Sequence, residues 1–195
     1  MAIDKVTSAS ITDGTIATAD IADSAIATAK IADSAVTSVK TSGVGEKNTP
    51  AFATKLQTSG DQDVGGSGTW TKLNMTNEIF DEGSCFDTTN KRFLPTTAGK
   101  YMFHLNVTFT PSAGGYTLRN QAIGIYKNGS LFYEIRQLRN SQEWNNWGLS
   151  LSGALDMNGS SDYAEAYVRS NDVSSGSTVV MNGTYTNFCG YLIAT

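Results

Sequence analysis

One histidine, two cysteines and a few loop carboxylates are the residues with which this chain of 195 could do chemistry. His104 falls on the polar side of an alternating run, Tyr101, Phe103, Leu105, Val107 and Phe109. No serine or cysteine is identifiable from the sequence as a nucleophile for it to activate, so it reads as a surface or interface residue. Cys85 and Cys189 are too few for a disulfide framework or a structural zinc site. They read as two free thiols, with pairing left open, since sequence separation says nothing about distance. Asp61-Gln62-Asp63, followed by Gly65, Gly66 and Gly68, puts two carboxylates in a loop, but without the spacing of a calcium loop. An ordinary solvated turn accounts for it. A carboxylate pair for glycoside cleavage can come from separate strands, and nothing in the chain favours one. The expectation is therefore no catalytic residue, no metal site and no cofactor.

Two tryptophans lie close together in Ser141-Gln142-Glu143-Trp144-Asn145-Asn146-Trp147. Trp147 fits the alternation of the strand that follows and reads as core. Trp144, between Glu143 and Asn145, is the candidate receptor-binding residue, because a flat aromatic beside amides suits sugar stacking. Packing in the core or between copies is the alternative.

Composition narrows the partners. Charged residues make up 16%, against roughly 25% in an average soluble protein. With 14 basic and 18 acidic residues the net charge is −4, so the clustered Lys and Arg of a nucleic-acid binder are missing. No run of about 18 apolar residues exists to span a membrane. Asp4 and Lys5 interrupt the first residues and no apolar stretch follows, so no cleavable signal peptide is expected.

Every Phe, Tyr and Trp lies at Phe52 or later. The first fifty residues are mostly Ala, Thr, Ser, Ile and Asp, with only Lys5, Lys30, Lys40 and Lys47 basic. Such a segment cannot build a compact core alone. The chain is expected to divide into an N-terminal arm, residues 1–45, and a globular head, residues 46–195. The joint falls within Thr41–Thr49, where Gly43 and Gly45 allow tight turning.

The arm repeats every ten residues, each decad being two pentads. Ile11, Ile16, Ile21, Ile26, Ile31 and Val36 recur at intervals of five, with Val6 one step earlier. On an α-helix a step of five rotates the apolar position by about 140°, so no stripe forms. On a flat strand an odd step flips it to the other face. Period five is satisfied when the backbone bends once per pentad, and Asp13-Gly14, Asp23-Ser24 and Asp33-Ser34 can supply the bends. Six or seven pentads are few for a single-chain solenoid. Association of several arms is the better solution, with Ile11, Ile16, Ile21, Ile26, Ile31 and Val36 as the stalk-trimerisation residues. A disordered low-complexity linker is the alternative.

The head reads as strands. The run from Tyr101 to Phe109 alternates strictly. Asn128-Gly129 separates Ile123-x-Ile125 from Leu131-x-Tyr133-x-Ile135, the strongest short hairpin signal. Trp147, Leu149, Leu151, Gly153, Leu155 and Met157 alternate again. Tyr163–Arg169 follows a turn at Asn158-Gly159-Ser160-Ser161, and Tyr185–Ala194 reads as the last strand. Eight to ten short strands without helical periodicity predict an all-β jelly-roll sandwich.

Here the head resembles the globular domains of the complement C1q and tumour-necrosis-factor type. Phe93-x5-Gly99-x-Tyr101-x-Phe103 matches that family's most diagnostic run, preceded by Asp81-x4-Phe86. Ile125-Tyr126-Lys127-Asn128-Gly129 matches its hairpin and Leu151-Ser152-Gly153-Ala154-Leu155 its Ser-Gly strand. Phe188-Cys189-Gly190-Tyr191-Leu192 matches its closing strand. The resemblance makes Phe86, Phe93, Gly99, Tyr101, Phe103, Asn128, Gly129, Gly153, Phe188 and Gly190 the family motif and core. Met75 and Leu105 depart from the usual aromatics, and the usual Gly-Asp is stretched to Gly159-Ser160-Ser161-Asp162. These departures bear on loop geometry and on any family metal site. The resemblance implies a C1q/TNF-like β-sandwich that forms compact homotrimers. No Gly-X-Y tract is present, so the stalk would be intertwined β-structure, not collagen or coiled coil.

The decads at residues 11–40 also resemble Ile-Ala-Asp and Ala-Thr-Ala-Lys repeats of bacteriophage tail-fibre and other virion proteins. Together the two resemblances imply a non-enzymatic virion protein, a homotrimeric fibre or spike on tail or capsid. Its expected partners are further copies of itself, other virion proteins through the arm, and a host cell-surface glycan at the head. Nucleic acid and membrane insertion are not expected. A secreted or cell-surface binding module of bacterial origin is the alternative from another class, and a glycan depolymerase a third.

Overall fold

The protein is described from a computed structural model. The described residues are 11–12, 14–23, 25–27, 31–32, 35, 48–57, 60–111, 119–138, 146–171, 179–181 and 185–195. The chain divides into two compact units, Met1–Lys47 and Asn48–Thr195. Each is taken by itself, as the arm and the head.

Among the described residues of the arm the backbone makes four turns. Amides donate across three residues from Thr15 to Thr12 O (3.1 Å), Asp20 to Ala17 O (2.9 Å), Ala25 to Ala22 O (3.0 Å) and Ala35 to Ala32 O (3.0 Å). Gly14 has φ +79°, the left-handed value that the third position of a type II turn requires. Three of these turns fall on the Asp-Gly and Asp-Ser pairs. The turn at Ala17–Asp20 does not. It is a 3₁₀ turn over Thr18–Asp20, closed by the Asp20 carboxylate accepting the Ala17 amide at 2.8 Å. In the decad of residues 11–20, both pentads therefore carry a bend.

The head is an all-β sandwich with thirteen strands among the described residues: β1 (Ala51–Lys55), β2 (Gln62–Asp63), β3 (Ser67–Lys72), β4 (Asn77–Glu82), β5 (Phe86–Asp87), β6 (Arg92–Phe93), β7 (Ala98–Pro111), β8 (Asn120–Lys127), β9 (Ser130–Leu138), β10 (Trp147–Asn158), β11 (Ala164–Asn171), β12 (Val179–Met181) and β13 (Asn187–Ala194). That exceeds the eight to ten expected, because β2, β5, β6 and β12 are pairings of only two or three residues, too short to show alternation. In the first sheet β10 lies on one edge of β7. β13 and β12 follow one another along the other edge, β1 and β4 lie beyond β13, and β2 pairs β12. The second sheet runs β5-β6-β11-β8-β9, with β3 also on β11. All pairs are antiparallel.

The strict alternation of β7 is the spine of the core. Tyr101, Phe103, Leu105, Val107 and Phe109 are buried, and the residues between them face outward. Phe52 of β1 packs at the centre, its ring 4.9 Å from Phe86, 4.5 Å from Phe93 and 5.1 Å from Phe188. At the β8–β9 hairpin Asn128 (φ 53°) and Gly129 (φ 75°) take the two left-handed positions of a type I′ turn. A register shift between Ile125 and Tyr126 sets Leu131 opposite Tyr126, on the outer face. Leu131 thus leaves the row that Tyr133 and Ile135 keep, opposite Ile125 and Ile123. Tyr133 packs against the core, whereas Leu131 and Ile135 are 41% and 38% exposed.

Candidate functional site

The outward face of the first sheet is built by strand parity. Residues buried on β7, β10, β13 and β1 alternate with residues that face away from the core, and the register lines these up in rows. One row reads Ser152, His104, Cys189, Ala53 and Phe80 across β10, β7, β13, β1 and β4. The next reads Ala154, Met102, Tyr191 and Ala51, and the row on the other side Ser150, Asn106 and Asn187. These rows meet charge only at their ends, at Glu82 beyond Ala51 and Lys55 beyond Asn187. Small side chains keep the face flat, and Tyr191 (43%), Ile193 (48%) and Phe80 (46%) stand exposed on its β13–β4 side.

The row through His104 gives the imidazole a neighbour that the sequence did not show. Register places Ser152 directly opposite His104, and Ser152 Oγ lies 2.6 Å from His104 Nδ1. A serine partner therefore exists, 48 residues away in sequence. The pair sits on an open sheet face, and among the described residues no carboxylate bonds the imidazole. Cys189, opposite His104 on β13, is a free thiol, and burial pushes it up from its ordinary value, away from the reactive thiolate. Cys85 is a free, buried thiol with its Sγ 3.1 Å from Gly83 O.

A second apolar surface lies on the opposite flank. β9 and β10, the edges of the two sheets, are joined by Tyr133 Oη donating to Ala154 O at 2.8 Å and Trp147 Nε1 donating to Gln137 Oε1 at 2.7 Å. Beside that seam Phe132 (55%) and Leu138 (69%) are exposed along with Leu131 and Ile135. Exposed apolar side chains thus lie along β9 and, separately, on β13 and β4. In the arm the isoleucines are similarly uncovered. Ile11, Ile16, Ile21, Ile26 and Ile31 are 42–56% exposed, and Val36 lies outside the described residues.

No protein-family model matches the chain, and no curated protein is recognisably similar in sequence. Solved structures do match. The globular domain of zebrafish complement 1qA protein superposes with a TM-score of 0.50 at 16% identity, over 74% of this chain and 96% of that one. Eiger TNF from S. frugiperda gives 0.52 at 12% identity, over 74% and 92%. The fold of the head is a C1q/TNF-like jelly roll.

In this jelly roll Phe86, Phe93, Tyr101, Phe103 and Phe188 all lie in one buried cluster. Gly153 and Gly99 are close-approach positions. A Cβ on Gly153 would run into the Tyr133 ring, and one on Gly99 would meet Leu192 Cδ1 at 2.8 Å and the Ala194 carbonyl oxygen. Gly190 lies between the rings of Phe52 and Phe103. Asn128 ties the hairpin to the neighbouring turn, its Oδ1 accepting the Tyr163 amide at 3.0 Å and its Nδ2 donating to Asp162 at 2.8 Å. Asp63 Oδ1 accepts the Gly65 amide at 2.8 Å, closing its own turn, and Gln62 is buried between Lys72 O and the Asn74 amide. Trp147 is buried. Trp144 lies outside the described residues. Sequence reasoning did not single out Phe52 or Ser152. The isolation of Phe52 between two alanines and threonine gave a faint strand signal, while Ser152 is visible only once register is known.

Proposed function

We propose that this chain is a non-enzymatic virion structural protein, a homotrimeric fibre or spike mounted on tail or capsid. The arm anchors it to the particle through other virion proteins, and the head is presented to the host surface, where it binds a glycan. The observation that carries the self-association is the exposure of large apolar side chains along β9 and on β13 and β4 of one head. Where the β9 residues of one head meet the β13–β4 residues of the next, the contact is head to tail and closes into a ring or grows into a filament. Three copies form the ring implied by the C1q/TNF-like fold, and the half-exposed isoleucines of the arm find cover in the same assembly. The virion role rests on the pentad repeat, whose composition resembles fibre proteins.

Light scattering of the full chain at micromolar concentration tests the assembly. The expected mass is about three times the 20.8 kDa of one chain, and a stable monomer overturns the reading. Adsorption of the protein to host cells tests the glycan role. Trp144→Ala is expected to weaken adsorption while trimer mass and melting stay unchanged. Absence of wild-type adsorption would leave the head as a decorating knob without a receptor.

A further inference from the structure

We infer that the outward face of the second sheet, at Trp70 of β3 and Arg169 of β11, binds an acidic sugar unit of a cell-surface polysaccharide. The inference rests on the glycan reading proposed above and adds to it the place of contact and the charge of the sugar.

Register brings the two side chains together. Trp70 stands directly opposite Arg169, and Ala122 of β8 is next in the same row. Ile123, Ile125 and Val168 on these strands face the core, so the row of Trp70 faces outward. β3 and β8 flank β11, about 9.5 Å apart at the usual strand spacing. Yet a Cβ on Gly124 of β8 would meet Trp70 Cη2 and Cζ3 at 3.2 Å. The indole therefore lies across β11 instead of standing upright, and Gly124 leaves it the room. Tyr126 props it in a T-shaped contact, with ring centroids 5.7 Å apart. Trp70 and Arg169 are both partly exposed. An aromatic face is the negative side of the ring quadrupole, and it takes the C–H bonds of a sugar ring.

The charges around the indole cancel except for one. Lys72 pairs with Glu165, and Arg136 Nη2 lies 2.6 Å from Glu134 Oε1. Arg169 donates from Nε to Gly68 O at 2.7 Å. Among the described residues no carboxylate pairs with its guanidinium, so the two terminal nitrogens remain as donors. A planar fork held at one nitrogen suits a carboxylate, which it takes through charge-assisted hydrogen bonds. The net charge of the chain is −4, so this cation is no part of a general basic surface. β9, whose exposed side chains serve self-association in the reading above, lies on the other edge of β8 from β11. Trp70 and Arg169 thus belong to different strands from that contact.

Titration calorimetry with polysaccharide extracted from cells to which the full chain adsorbs tests this. The polysaccharide is used before and after carbodiimide–borohydride reduction of its uronic acids to neutral sugars. Reduction is expected to weaken binding about tenfold or more, and added salt to weaken binding of the unreduced form alone. Arg169→Gln, which keeps a donor and loses the charge, should bind the unreduced form about tenfold more weakly or worse, at unchanged mass and melting. Trp70→Ala should do the same, whereas Trp70→Phe, with an aromatic face retained, should stay close to wild type. Equal binding of reduced and unreduced polysaccharide, or wild-type binding by Arg169→Gln or by a folded Trp70→Ala, overturns the site. A wild type that adsorbs to no cell overturns the glycan reading on which the site stands.

Discussion

Asn128 and Asp162 share a hydrogen bond of 2.8 Å that makes one unit of the two turns closing this end of the head. Asp162 Oδ2 also accepts from the Asn158 amide at 3.0 Å and pairs with Lys127 Nζ at 2.9 Å. The Asn128 amide, followed by Lys127, holds the Asp162 carboxyl below its ordinary value. A lowered carboxyl stabilises the fold above the unfolded value near pH 4, and the contribution is lost as pH falls through the folded value. Asp162→Ala is therefore expected to cost roughly 1.5–3 kcal/mol at pH 7. Urea unfolding at pH 7 and pH 3 checks it: the gap between variant and wild type should narrow in acid, and an equal gap at both would contradict a charge-based latch.

Gln121 of β8 and Ser170 of β11 stand opposite each other facing the core, both fully buried, with no partner for either amide atom or for the hydroxyl. A buried polar group left unpaired costs about 1–3 kcal/mol. Gln121→Met, close in shape and without the polar atoms, is expected to raise the melting temperature by about 2–10 °C. Differential scanning calorimetry measures it, and a lower temperature would mean that an internal water holds the amide.

Gly190 has no room for a side chain. A Cβ there would meet Phe103 Cδ1 at 2.7 Å, Phe52 Cε1 at 2.9 Å and the backbone oxygen of Met102 at 3.0 Å. Two of those atoms belong to the central aromatic stack and the third to β7 backbone, so none yields cheaply. Gly190→Ala should destabilise the head by about 1–3 kcal/mol, as overpacking does. Chemical denaturation of both forms gives the difference, and equal midpoints would show that the stack can shift.

The long strands of the head were legible because one face is buried and the other is not. β7 and β10 write that asymmetry as strict alternation over 14 and 12 residues. The Asn128-Gly129 turn was legible because few residue pairs accept two left-handed positions. What could not be read depends on register between distant segments. Ser152 faces His104 only because β10 pairs β7 at that offset, and Leu131 turns outward only because of the shift at Ile125 and Tyr126. In the arm the spacing of isoleucines carried the period of the turns, while the closure at Ala17–Asp20 by an aspartate side chain has no counterpart in the Asp-Gly signal.

The arm offers a test of whether its pentad positions are covered by other copies. Ile21 is 44% exposed in the single chain, while the adjacent Ala22 contributes its carbonyl to the turn, accepting from Ala25 at 3.0 Å. If arms of three copies share an axis, Ile21→Asp places three carboxylates where isoleucines meet, and each must stay ionised without water or take up a proton. Ala22→Ser leaves both the turn and the isoleucine row intact. Limited proteolysis of residues 6–40 reads the difference. The expected result is rapid cleavage for Ile21→Asp and wild-type resistance for Ala22→Ser. Equal, rapid cleavage of all three forms would mean that the isoleucines are not covered by neighbouring arms, and the self-association would then reside in the head alone.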